Sequence, residues 1–62
     1  PKFEYMTSET GFSHEELLKC GQVKYLDSHG QDGWELVSVE SLGWNSHNTV
    51  QHYRFYWKRA LN

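Results

Sequence analysis

Cysteine, net charge and long apolar runs are all scarce in this chain of 62 residues. The single cysteine, Cys20, excludes an internal disulfide and fits a reducing compartment. A net charge of −2 and a pI near 6.1 argue against general duplex binding by charge. No apolar run approaches the ~20 residues of a membrane span. No charged-then-apolar leader opens the chain. The expected setting is therefore the cytoplasm, with no membrane partner. Linkers, internal repeats and low-complexity segments are also missing, so residues 1–62 read as one small domain. A domain of that size buries only about 60% of its unfolded surface. It needs a disulfide, a metal, a partner subunit or an unusually dense core.

What the chain holds in surplus is aromatic surface: three Phe, four Tyr and three Trp, 16% of its residues. Each ring can bury ~150–250 Å², more than one small core can hide. Some of these rings are expected at a subunit interface or a binding face.

The segment "KFEYMTS" alternates, with Phe3 and Tyr5 on one side and Lys2, Glu4 and Met6 on the other. That period predicts a half-buried strand, followed by a loop at "ETGF". "FSHEELL" then has the parts of a helix start. Ser13 and Glu16 form a capping box, and Phe12 and Leu17 stand at the spacing of a hydrophobic staple. One helix is predicted from about Ser13 to His29, with Leu17, Leu18, Gly21 and Tyr25 along its apolar stripe. Gly21 in mid-helix suggests close approach to a sheet or a break. Gly30 suits the left-handed position after a helix, and Asp32-Gly33 makes a turn.

"WELVSVESL" reads as a second strand whose first side chain, Trp34, anchors on the helix end. Truncating a core anchor of this kind is expected to cost ~3–5 kcal/mol. "GWNSHN" reads as a polar loop, and "TVQHYRFYWKR" as the last strand. Tyr53, Phe55 and Trp57 share one face of it; His52, Arg54, Tyr56 and Lys58 share the other. The predicted fold is therefore α+β, in the order β-α-β-β. One helix packs on a three-stranded sheet of order 1-3-2, against a face of Phe3, Tyr5, Tyr53, Phe55 and Trp57. The first two strands run parallel to each other through the helical crossover.

The second strand is apolar on both faces: Trp34 and Leu36 point one way, Val37 and Val39 the other. Either a bulge shifts its register, or the open face of the sheet is also buried. In the second case Met6, Val37, Val39 and Tyr56 form a homo-oligomer contact.

"KFEYMT", a capped helix, "GQDGWELVSV", a variable loop and a closing "YWKR" resemble a family of very short bacterial and phage proteins of unknown function. The resemblance covers nearly the whole chain and is most specific over Gly33 to Val39. It implies a small α+β fold and a prokaryotic or phage origin, and it carries no activity. The loop from Leu42 to Val50 is longer than is common in that family, which makes Trp44 and His47 particular to this chain.

Chemistry-bearing constellations are few. Pro1 and the length are shared with the 4-oxalocrotonate tautomerases, in which an N-terminal proline is the general base. Lys2 and the distant Arg54 and Arg59 depart from that family's pattern, and a trimmed N-terminus is the simpler reading. His14, His29, His47, His52 and Cys20 show no metal-ligand spacing, so no metal and no cofactor are expected. No serine or cysteine has a convincing base partner. Glu35 and Glu40 have opposite strand parity, so no acid/base pair and no catalytic residue is assigned. The face with His52, Arg54, Tyr56 and Lys58 could grip a small anionic ligand or single-stranded nucleic acid, although alternation sends the other rings to the core. Trp44 in the loop has the character of a binding hot spot for another protein. The preferred reading is a non-enzymatic, homo-oligomeric interaction module. The alternatives are an anion or single-strand binder on the Arg54/Lys58 face and a Pro1 tautomerase.

Overall fold

Alternating side chains build three strands: β1 (Lys2–Ser13), β2 (Glu35–Trp44) and β3 (Val50–Leu61). Two helices, α1 (His14–Leu18) and α2 (Gly21–Gln31), connect β1 to β2. The structure is a computed structural model and describes residues 2–61; the tautomerase reading rests on Pro1, which lies outside them. The sheet order is β1-β3-β2, and β3 is antiparallel to both neighbours, so β1 and β2 run parallel to each other. The fold is α+β with helices on the sheet, in the strand order that the aromatic loading of β3 predicts. Phe55 and Trp57 of β3 are 4% and 2% exposed, and with Phe12 they form the buried core.

The first strand turns its other face to the helices. Met6 pairs with Trp57, Ser8 with Phe55 and Thr10 with Tyr53, and directly opposed residues share a face. Phe3 and Tyr5 therefore stand on the open side, Tyr5 at 71% exposure. Met6 packs against the core instead of joining an open-face contact. The reason is space and polarity. Trp57 and Tyr25 already fill the helix side, and Ser8 meets both. The Trp57 indole N–H donates to Ser8 Oγ at 2.8 Å, and the Tyr25 hydroxyl lies 2.6 Å from that oxygen. A ring at position 8 would leave both polar groups unpaired. "ETGF" is strand, not loop: it pairs with residues 51–54 of β3, and Gly11 lets the backbone pass where a side chain would overlap Val50 Cγ1.

The capping box forms: Glu16 N–H donates to Ser13 Oγ (3.2 Å), and Ser13 N–H to Glu16 Oε1 (3.1 Å). The single predicted helix is two. It breaks at Cys20, a non-glycine residue in the left-handed region (φ 59°). Gly21 is crowded by α1 and not by the sheet: a Cβ there would sit 3.0 Å from the Glu16 carbonyl oxygen.

Gly30 lies inside α2, and the left-handed position falls to Gly33 (φ 89°). The backbone N–H groups of Asp32, Gly33 and Trp34 close the helix onto the carbonyls of His29 and Gly30. Gly33 also makes room for Arg59, whose Cδ would be 3.2 Å from a Cβ there. The Arg59 guanidinium stacks over the Trp34 ring at 4.2 Å. It donates from Nε to Glu4 (2.8 Å) and from Nη1 to the Asp32 carbonyl (3.1 Å). One arginine thus ties the start of β1, the end of β3 and the helix-to-strand turn. "GQDGW" is distinctive because that clamp needs a glycine, a free carbonyl and a flat ring in succession.

The apolar character of both faces of β2 is resolved by bulges. The pairing with β3 shifts between Leu36 and Ser38 and again between Ser41 and Gly43, leaving Val37 and Leu42 as the extra residues. Leu36 opposes Trp57 and Val39 opposes Phe55, so both face the helix side. Val39 therefore leaves the predicted open-face contact, as Met6 does. The same shift puts Glu35 and Glu40 on one face, opposite Lys58 and Arg54, against the simple parity count. Gly43 and Trp44 belong to β2, and the connection to β3 spans 45–49. There the Asn45 carboxamide oxygen accepts from the backbone N–H groups of Thr49 (2.8 Å) and Val50 (3.2 Å).

Candidate interaction surface

Two surfaces compete for function. The open face carries His52, Arg54, Tyr56 and Lys58, as alternation predicts, joined by Glu9, Glu35 and Glu40. Arg54 bridges two strands: Nη2 lies 3.3 Å from Glu9 and Nη1 3.3 Å from Glu40. The Tyr56 hydroxyl donates to Glu40 (2.9 Å), and Lys58 Nζ is 3.7 Å from Glu35 and 5.0 Å from the Phe3 ring centre. The Arg54 guanidinium is held above its ordinary pKa, first by its hydrogen bond with Tyr56 and then by the charge of Glu9. These three carboxylates outnumber the two cations they meet. An anionic ligand would have to displace a carboxylate from each cation, and the face offers no concentrated positive charge. As an exposed network it adds little to stability. Arg54→Ala is expected to leave the melting temperature nearly unchanged, with any difference shrinking as salt is raised; melting curves at two ionic strengths check this.

The second surface runs along β2 and the gap between β2 and α2. The helices cover β1 and β3: Tyr25 packs edge-on to Phe12 at 5.9 Å and against Phe55 at 4.9 Å, and His29 stacks on Trp57 at 4.5 Å. β2 is left bare. Leu36, Val37, Val39, Leu42 and Trp44 are each between 37% and 54% exposed. Between α2 and β2 opens a groove of about 180 Å³ lined by Phe12, Leu26, Leu36, Val39, Tyr53 and Phe55. Gln22 also reaches it, and its Oε1 is buried without a hydrogen-bond partner.

Trp44 is not the free loop ring that the sequence suggests. It opposes Gln51 at the end of β2 and stacks on His14 at 4.5 Å, while His14 Nε2 lies 3.1 Å from the Asn48 carbonyl oxygen. It joins the β2–β3 turn to the start of α1 and keeps 40% of its surface open. Val37 remains exposed as a bulge residue, and Tyr56 stays on the open face with its hydroxyl on Glu40. From the sequence Phe12 reads as part of a helix staple, Leu36 as a strand residue and Leu26 as a helix residue, but their meeting in one groove is not assigned there. For Leu36 and Val39 the signal is the doubled apolar character of residues 34–39, read with a bulge.

Shape agrees with an unfinished surface. The molecule measures 44 × 20 × 11 Å, with a radius of gyration of 13.1 Å, against about 11 Å for a compact chain of 62 residues. It exposes 4555 Å², against roughly 4,200 Å² expected for a folded monomer of this mass. Among the described residues no helix is long and apolar enough to cross a membrane. No protein-family model, curated protein or solved structure matches the chain.

Proposed function

We propose that this protein is a small non-enzymatic interaction module that works as a homo-oligomer. The carrying observation is the bare apolar flank of β2 beside an open groove, in a chain whose buried core is three rings. A core that small is stabilised in most proteins of this length by disulfides, metals or subunit contacts, and a single cysteine leaves no internal disulfide. Contiguous apolar surface on a soluble domain marks a contact site. Arg54, Tyr56 and Lys58 of the open face are engaged with Glu9, Glu35 and Glu40, which supports association over anion capture there. Static light scattering at micromolar concentration is expected to give at least twice the chain mass of 7.4 kDa. A mass of one chain across the accessible concentration range would refute the proposal.

A further inference from the structure

Resting on that oligomer reading, we infer that β2 pairs antiparallel with β2 of a second copy across a two-fold axis centred on Val39, giving one continuous six-stranded sheet. β2 and β1 are the two edges of the sheet, and they differ in kind. The carboxylates of β1, Glu4 and Glu9, are held by Arg59 and Arg54 of β3, so what sets this edge apart is Lys2 and a mainly polar row of side chains, the kind of composition that keeps an edge from pairing. β2 has no lysine, arginine or proline, and its two charges, Glu35 and Glu40, are both drawn inward to Lys58 and Arg54 of β3. Its outer backbone groups face no strand, and the side chains beside them are apolar and half exposed.

The register follows from the bulges and from charge. The bulges at Val37 and Leu42 confine regular pairing to Ser38–Ser41. Opposed residues in a continuous antiparallel sheet must share a face. An axis on Glu40 would set that carboxylate against its own copy. One on Ser38 would bring Glu40 opposite Leu36, which the Val37 bulge has turned to the other face. An axis on Val39 avoids both and keeps Ser38–Glu40 in regular pairing, with Ser41 meeting the bulge residue Val37 of the copy. It sets Val39 on Val39 of the copy, on the helix side, and Ser38 opposite Glu40 of the copy on the open side. The serine hydroxyl can then donate to a carboxylate already held by Arg54 and Tyr56. The axis is perpendicular to the sheet, so both helix layers lie on the same side and the two grooves become neighbours across the seam. A second copy fits this edge better than a charged partner does, because the edge has no unpaired charge to offer one. A seam of one short strand per copy is well below the ~20–30 residues per side of a standard interface, so the association is weak.

The test uses the full chain with Cys20→Ser, which removes the exposed native thiol. Adding Val39→Cys should give a disulfide-linked dimer under mild oxidation in most of the protein, while Val23→Cys on α2 should give little. Val39→Lys should return the scattering mass to one chain with the circular dichroism of the parent retained, since Val39 is half exposed and its loss does not open the core. A dimer that survives Val39→Lys and does not cross-link at position 39 would overturn the edge pairing and leave the oligomer reading standing. A parent chain that is monomeric throughout would overturn both.

Discussion

Trp57→Ala should remove half or more of this protein's stability at room temperature. A chain of 62 residues has roughly 3–9 kcal/mol of stability in total, and replacing a fully buried tryptophan by alanine costs about 3–5 kcal/mol. Trp57 is 2% exposed and touches His29, Tyr25 and Phe55 through its ring. Its indole N–H is also the donor to Ser8 Oγ. Urea titration followed by far-ultraviolet circular dichroism gives the answer. Trp57→Phe separates the two contributions in part, since it keeps a six-membered aromatic ring and loses the N–H with the rest of the indole. It should cost about 1 kcal/mol for the lost hydrogen bond plus a smaller packing defect. A Trp57→Ala protein with unaltered melting would mean that the helices are not seated on this face of the sheet.

The second large effect is expected at Trp34, for a different reason. Trp34 is partly buried, between the core cluster and the Arg59 guanidinium. Trp34→Ala should cost about 2–3 kcal/mol, below the ~3–5 kcal/mol of a fully buried ring. The loss is shared with Arg59. Stacking of a guanidinium on an indole contributes ~0.5–1 kcal/mol at an exposed site. A double-mutant cycle of Trp34→Ala with Arg59→Ala should therefore show coupling of about that size. Arg59→Lys should behave much like Arg59→Ala, because an ammonium cannot stack flat while also serving Glu4 and the Asp32 carbonyl. Strict additivity in the cycle would remove the clamp as the explanation of the "GQDGW" stretch.

The strands, their order and the helix cap were legible because each has a local cause. Tyr53, Phe55 and Trp57 alternate with charges, and Ser13 and Glu16 stand three apart. What could not be read had non-local causes. Facing on β1 was decided by what stands across from it: Met6 faces inward because it opposes Trp57, although Phe3 and Tyr5 are the larger rings. Gly21 left a choice between close approach to the sheet and a helix break; the chain breaks at Cys20, and Gly21 lies against Glu16 of α1. At residues 34–39 the sequence did pose the right choice, a bulge or a buried open face. The bulge at Val37 decides it, and moves both Val39 and the Glu35/Glu40 pair to faces that parity alone would not give them. The candidate surface was half visible for the same reason. Apolar residues on β2 were plain, but the groove exists only once Leu36 and Val39 stand beside Leu26 and Tyr53.

Twelve-residue strands on both β1 and β3 have a hydrodynamic consequence. At ~3.3 Å per residue such strands span about 40 Å, and they set the 44 Å long axis of a body only 11 Å thick. A plate of that form tumbles and elutes as a heavier sphere would. On a sizing column calibrated with globular standards, one copy would pass for something larger, and edge-to-edge growth of the sheet would widen the plate without thickening it. Stoichiometry for this protein therefore has to come from scattered mass.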